Sequence, residues 1–331
     1  MKILVTGGAG YVGSHAVRWL EKAGHEVWVY DNLSLGHRAA IRPEQLIEGN
    51  LADEARLRAA LVDRRIEAVM HFAAFIQVGE SVIDPARYYG NNLTGTLALL
   101  DTMRRADVRK FVFSSTAAVY GEPTENPITE DSPCLPVNPY GFTKLAIERA
   151  LADYAHAYGM GYAALRYFNA SGASADATIG EDHQPETHLI PLVLQVALGQ
   201  REAIRIFGND YPTPDGTCVR DYIHVDDLAA AHAKALEQLK LGTGMSLNLG
   251  TGQGHSVQEV IATCRQVTGH AIPTIIEPRR AGDAPALVAN ANRARQQLGW
   301  TPQHADLQDI VSSAWRWHSR HPRGYDDRTR T

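Results

Sequence analysis

Residues 2–31 read KILVTGGAGYVGSHAVRWLEKAGHEVWVYD. A short apolar run at 2–6 ends in glycines, and residues 11–23 then carry apolar side chains at helical spacing (Val12, Ala16, Trp19, Leu20), before a second apolar run at 25–30. The order is strand, turn, helix, strand. Gly7, Gly10 and Gly13 form G-x-x-G-x-x-G at the first turn, where glycine permits positive φ and close backbone approach, and where a helix N-terminus offers free N–H groups to a pyrophosphate. Asp31 follows the second strand, 18 residues beyond Gly13. A carboxylate there accepts hydrogen bonds from an adenosine ribose and repels a 2′-phosphate, which favours NAD over NADP. A glycine triplet alone marks many plain turns, and Asp31 could simply cap a turn with Asn32; the register of all the parts favours the dinucleotide reading.

Outward from this unit the alternation continues. Helical patterns at 53–62, 85–105 and 139–158 separate apolar runs at 68–72, 110–114 and 162–167, which predicts an α/β fold with a doubly wound parallel sheet of Rossmann type. After Asn169 the pattern loosens. Residues 170–187 read as loop, and 208–221 hold Pro, Gly and Asp at turn density. Helices are predicted at 189–198, 225–239, 257–267, 293–298 and 307–318, with a strand at 246–249. We expect residues 1–169 to form the cofactor domain, with about 221–250 returning to it, and 170–331 to form mainly a smaller mixed α/β substrate-binding region.

Composition narrows the ligand. The chain has 331 residues, with 32 Lys and Arg against 37 Asp and Glu, a net charge of -5. No basic field favours a nucleic-acid backbone, so a small molecule is expected. No apolar run approaches the roughly 18 residues of a membrane span, and the N-terminus turns glycine-rich too early for a signal peptide. Cys134, Cys218 and Cys264 are few, odd in number and widely spaced, as expected of reduced thiols in the cytoplasm. Among the 14 histidines, His183 and His188 match no metal-ligand template; they are expected to be solvated, with no metal requirement.

The chemistry points to 138–144, NPYGFTK. Tyr140 and Lys144 are four apart and share one helix face. A phenol with a reference pKa of about 10 is a poor base at neutral pH, and a neighbouring ammonium is expected to lower it. The strand before it ends in Ser115 and Thr116, hydroxyls at the carboxyl edge of the sheet where ligands of doubly wound folds sit. Tyr-x-x-x-Lys is common by chance as a core tyrosine and a surface lysine. Its place after a hydroxyl-bearing strand and a dinucleotide turn favours chemistry.

Taken with GGAGYVGSH at 7–15, YDNLS at 30–34, HFAA at 71–74, YYGNNLTGT at 88–96, FSSTAAVYGE at 113–122, RYFNASGA at 166–173, IFGNDYPTPDGTCVRDYIHVDDLA at 206–229 and RRAGD at 279–283, the whole chain resembles the extended short-chain dehydrogenase/reductases, and within them the UDP-glucose 4-epimerase family. The resemblance implies bound NAD, with Tyr140 as catalytic base, Lys144 as its electrostatic partner, and Thr116 on the sugar's 4-oxygen. It implies cofactor contacts from Gly7, Gly10, Tyr11, Val12, Gly13, Asp31, Asn32, Phe72, Ala73, Ala74, Ser114 and Tyr167, besides Tyr140 and Lys144. Asn50 and Leu51 would flank the adenine, Asn50 standing where the family usually has an aspartate. Asn91 is either a cofactor neighbour or a polar residue in a helix.

On the substrate side the resemblance implies Asn169, Phe207 at the uracil, Arg220 and Arg280 on the diphosphate, and Asp283 on nucleotide or sugar hydroxyls. His188, where an asparagine is frequent, and Leu189 join them. Leu287 lies where a large aromatic or a small residue decides whether an N-acetylated sugar fits. Ile76 and Gln77 replace a lysine and its neighbour seen in some members near the pyrophosphate. The implied activity interconverts UDP-glucose and UDP-galactose by transient oxidation at C4 and rotation of the 4-keto sugar; 4-epimerases of a UDP-N-acetylhexosamine, UDP-glucuronate or a UDP-pentose share most of the motifs. A 4,6-dehydratase would carry an Asp-Glu pair after Thr116, where Ala117 and Ala118 stand. The resemblance also implies a homodimer through helices flanking the sheet, with no nucleic-acid or membrane partner.

Overall fold

The computed structural model describes residues 1–280 and 282–325. Six strands open the chain: β1 (Lys2–Thr6), β2 (Glu26–Asp31), β3 (Leu46–Glu48), β4 (Ala68–His71), β5 (Lys110–Thr116) and β6 (Gly161–Tyr167). Between them run helices α1 (Tyr11–Lys22), α2 (Glu54–Asp63), α3 (Val78–Ile83), α4 (Pro85–Tyr88), α5 (Gly95–Arg105) and α6 (Pro139–Tyr158). The remainder holds β7 (Asn169–Ser171), α7 (Leu189–Ala197), β8 (Ile204–Phe207), β9 (Val219–His224), α8 (Val225–Gln238), β10 (Gly244–Leu249), β11 (Gly254–Ser256), α9 (Val257–Thr268), β12 (Thr274–Glu277), β13 (Ala286–Leu287), α10 (Asn292–Leu298) and α11 (Leu307–Arg320).

The main sheet is parallel, in the order β10-β6-β5-β4-β1-β2-β3. Its side chains alternate between two buried faces. Ile3 and Val5 pack with Val17 and Leu20 of α1 and Leu228 and Leu236 of α8. Leu4 faces the other way, onto Leu57 of α2, Leu99 of α5 and Ile147 of α6. Burial on both faces explains why these strands read as apolar runs without alternation.

Helix α6 begins where chain chemistry dictates. The Asn138 side chain accepts from Gly141 N, Pro139 occupies the first turn without losing a needed donor, and Gly159 ends the helix at φ 70°. The predicted helix at 85–105 is instead interrupted. Tyr89–Thr94 forms a π-helical turn between α4 and α5, where the Asn92 amide is drawn onto Phe75, accepting from its N at 2.8 Å and donating to its O at 2.9 Å.

Beyond β7 the chain is more regular than its turn-rich composition suggests. β9 links β7, β11 and β13 in a second sheet, and β8 pairs with β12 in a third. Helices α7, α9 and α11 bury Val193, Val260, Ile261 and Ile310 against Ile204 and Ile206 of β8.

Candidate active site

The glycine turn is shaped by exclusion. Gly7 adopts φ +71°, and a Cβ there would lie 2.4 Å from Ala73 N; one on Gly13 would lie 2.2 Å from Gly7 O. Neither fits. Helix α1 starts beyond Gly10 with no side-chain cap and no acidic residue in its first turn, leaving its N–H groups to an anion. Asp31 is the last residue of β2, and its oxygens accept from Ala9 N at 3.0 Å and Leu33 N at 2.8 Å. Burial raises its pKa, against the lowering effect of those amides. Each oxygen keeps a lone pair for a hydroxyl donor.

Two cavities meet at this turn. One of about 100 Å³ is lined by Asp31, Asn32, Asn50, Leu51, Phe72, Ala73, Ala74 and Asn91, together with Gly7 and Gly10. The other, about 540 Å³, shares Gly7, Gly10, Phe72 and Ala74 with it and continues past Tyr11, Val12 and Gly13 to Ser114, Thr116, Tyr140, Lys144 and Tyr167, then to Asn169, His188 and Arg280. The shape suits an extended dinucleotide with a second ligand beyond it, and the cradle that a Cβ would fill fits a pyrophosphate.

At its centre the strand pleat sorts three hydroxyls. Ser114 and Thr116 face the cavity; Ser115, between them, faces the opposite way and donates to Glu148 Oε1 at 2.5 Å. Thus only one of the two hydroxyls expected at the strand end serves the cleft. Ser114 Oγ is 2.6 Å from Tyr167 OH, and Thr116 Oγ1 accepts from Ala118 N at 3.1 Å. Glu148 also holds Arg166, with Nη2 at 2.5 Å and Nε at 3.0 Å. Sequence reading missed this pair, whose partners sit on α6 and β6; nothing in their spacing announces it.

Lys144 is no surface lysine. It is 2% exposed, donates to Ser114 O at 2.8 Å and lies 5.9 Å from the Tyr140 ring centroid. Burial pushes its pKa down to about 7, opposed by the Glu148 charge. Tyr140 differs from expectation: burial raises its phenol, with only the Thr116 hydroxyl acting the other way. In the ligand-free chain the same dry environment that weakens the ammonium also disfavours the phenolate.

The remaining predicted residues form an adjoining group. The Arg280 guanidinium lies 4.4 Å over the Phe207 ring and reaches Asp283 at 3.2 Å, while Arg220 Nη2 is 3.6 Å from the same carboxylate. Leu287 pairs with Arg220 in register. Arg280 is the member that reaches the larger cavity's wall; Phe207, Arg220, Asp283 and Leu287 stand behind it. Leu189, the first residue of α7, packs against that helix's core. Asp221 is not Arg220's partner: its carboxylate accepts from the N–H groups of Thr251, Gly252 and Ala289 and the Thr251 hydroxyl.

His183, with its side chain 16% exposed, departs from the expectation of a solvated residue, whereas His188 keeps 37% of its side chain exposed. Both turn toward Glu181 and Glu186, and together with Glu181 they line the larger cavity. The reason is the loop's path, which returns Glu181 beneath the start of α7.

The whole chain, with this fold, is shared with known proteins. The chain belongs to the NAD dependent epimerase/dehydratase family, whose model matches residues 3–250. It is 55% identical over 326 residues to the UDP-glucose 4-epimerase of Halalkalibacterium halodurans, covering 98% of each chain, and 54% identical over 329 residues to that of Streptomyces lividans, covering 99% of each. Among solved structures, the Bifidobacterium longum UDP-glucose 4-epimerase, in complex with NAD+ and UDP, matches with TM-score 0.94 at 40% identity, over 98% of this chain and 100% of that one. A crystal structure of another UDP-glucose 4-epimerase matches with TM-score 0.95 at 51% identity, over 98% and 100%.

Proposed function

We propose that the chain interconverts UDP-glucose and UDP-galactose with NAD as resident cofactor. The observation that carries this reading is the continuous cleft lined by the glycine cradle, the Thr116-Tyr140-Lys144 centre and Arg280. Gly7, Gly10 and Gly13 with Tyr11 and Val12 hold the pyrophosphate; Asp31 and Asn32 hold the adenosine ribose; Asn50, Leu51, Phe72, Ala73, Ala74 and Asn91 enclose the adenine side. Ser114, Lys144 and Tyr167 stand at the nicotinamide end. NAD, when bound, supplies a reversible hydride acceptor at the sugar's C4.

Tyr140 accepts the 4-hydroxyl proton and later returns it, so the phenol must be drawn toward phenolate in the loaded enzyme. Lys144 supplies positive charge for that shift. Thr116 orients the 4-oxygen. Arg220 and Arg280 hold the diphosphate, Phe207 and Asp283 the nucleoside, and Asn169, His188, Leu189 and Leu287 border the sugar's path. Guanidinium forks are needed locally because the chain as a whole is acidic. A firmly held UDP end with a loosely contacted sugar lets the sugar turn over between the two half-reactions.

The same reading divides the chain into a cofactor unit, 1–169 with 221–250, and a UDP-sugar unit in the rest, of which 281 and 326–331 lie outside the described residues. It also pairs two copies through the helical segments 85–105 and 139–158, supported by exposed Tyr89, Leu97, Phe142 and Tyr158. No helix among the described residues is long and apolar enough to cross a membrane, in keeping with a cytoplasmic enzyme. The test is turnover of UDP-galactose and UDP-glucose by the purified chain, beside UDP-glucuronate, UDP-arabinose and the N-acetyl sugars; no turnover of either neutral hexose nucleotide refutes the assignment. Light scattering should give twice the chain mass.

A further inference from the structure

Four side chains away from Tyr140 converge on one point of the cleft wall. Glu181, His183 and Glu186 lie between β7 and α7, and His188 immediately precedes α7. One ligating atom from each lies within 4.8 Å of all the others. His183 Nδ1 is 3.3 Å from Glu181 Oε1 and 3.7 Å from Glu186 Oε2. His188 Nδ1 is 2.8 Å from Glu181 Oε1 and 3.2 Å from Glu186 Oε1.

Two imidazolium-carboxylate pairs could give such proximity, but ion pairs of this kind aim each ring N–H at an oxygen. Here Glu181 Oε1, His183 Nδ1 and His188 Nδ1 are buried without a hydrogen bond, and Glu181 as a residue is 4% exposed. The four candidate ligating atoms crowd within 4.8 Å of one another. Around a tetrahedral ion with bonds of about 2.0–2.1 Å, adjacent ligand atoms stand roughly 3.3 Å apart. With Glu186 Oε2 as the ligating atom, the separations of 3.3 and 3.7 Å lie near that edge, and the 2.8 Å approach of His188 Nδ1 to Glu181 Oε1 needs an opening of about half an ångström.

The surroundings hold the ligands in place. Glu186 Oε1 accepts from Thr187 N at 2.7 Å and His188 N at 2.8 Å, leaving Oε2 for the centre. Trp317 Nε1 donates to Glu181 O at 3.2 Å, and Tyr325 N to Asp182 Oδ2 at 2.9 Å. Such outer contacts orient first ligands in metal sites. Two imidazoles and two carboxylates suit zinc or a similar first-row divalent ion, whereas calcium and magnesium require more oxygen ligands.

We propose that Glu181, His183, Glu186 and His188 bind one divalent transition-metal ion of the zinc class, closing the loop 181–188 onto the start of α7. This replaces the expectation of no metal. Four protein ligands make the site structural; its role is to fix the cleft wall that His188 lines. The proposal is independent of which sugar nucleotide is turned over.

The test uses the untagged full-length chain, purified without chelator after growth with zinc. Elemental analysis should find about one zinc per chain, and the Glu181→Gln/His183→Gln variant, folded by circular dichroism, under about a tenth of that. After dialysis against a chelator, added zinc should raise the wild-type Tm by several degrees, magnesium should not, and the variant should respond to neither. If the variant does not fold, the wild-type titration decides alone. A wild-type chain that carries no zinc and shows no Tm response, or a variant that binds zinc as well as wild type, overturns the site. UDP-galactose turnover, measured separately, leaves the two proposals distinguishable.

Discussion

Tyr140 and Lys144 show what a single side chain's surroundings decide. Tyr140→Phe removes the proton acceptor and nothing from the cofactor cradle, so turnover should fall by about 10²–10⁴-fold or more while NAD stays bound, read from steady-state rates and from nucleotide released on denaturation. Near-normal rates would remove Tyr140 from the base role. Lys144 carries a pH signature. Burial holds its pKa at about 7 in the ligand-free folded chain, below the 10.5 of an ordinary lysine. Between those values the unfolded chain binds more protons, so this residue makes stability rise with pH, by at most about 1.4 kcal/mol per pH unit. Below pH 7 both states are protonated and its full burial cost remains. Urea unfolding of NAD-free wild type and Lys144→Met should therefore show the methionine variant's relative stability greatest near pH 6.5 and declining toward pH 10; a difference independent of pH would contradict the shift. That Tyr140 and Lys144 share one helix face could be read from a spacing of four. The orientation of Ser115 and the meeting of His183 with Glu181 could not, because each depends on where the backbone turns in three dimensions.

Helix α6 carries both residues of that pair, and its seat is set by Glu148, one turn beyond Lys144. The Glu148-Arg166 ion pair has side chains only 5% and 7% exposed and also engages Ser115 and Tyr120. Removing one member of a buried pair strands the other charge, so Glu148→Gln should cost about 3–5 kcal/mol, measured by denaturant unfolding, whereas Glu148→Leu with Arg166→Met should recover most of that loss. At the glycine turn, Gly13→Ala forces a Cβ onto Gly7 O; NAD affinity should drop by about tenfold or more, measured by titration of cofactor-free protein. The main sheet's strands other than β3 were legible as apolar runs, whereas β3 is three residues long and half-buried at best. β8 and β12 escaped because they are four residues long with exposed positions, and β9 because it begins inside a stretch whose Pro, Gly and Asp signal turns. The π-turn at Tyr89–Thr94 was hidden since Asn92 acts through Phe75, a residue in another segment.

Across the whole molecule, the cleft depends on segments distant in sequence. Arg280 alone among the diphosphate candidates reaches the cavity wall and is largely exposed. Arg280→Ala should therefore raise KM for UDP-galactose about tenfold with a smaller change in kcat, the pattern of an interaction made equally in ground and transition states. A fall in kcat alone would place Arg280 at the reacting sugar instead. The sheet itself is completed by β10, which lies beside β6 although β7, α7, β8, β9 and α8 intervene in the chain, and α8 packs on α1. During synthesis, the inner side of α1 waits for α8, which ends at Gln238, and the edge of β6 waits for β10, which ends at Leu249. A fragment released before residue 249 would therefore end with β6 as an unpaired sheet edge, a template for pairing with another chain.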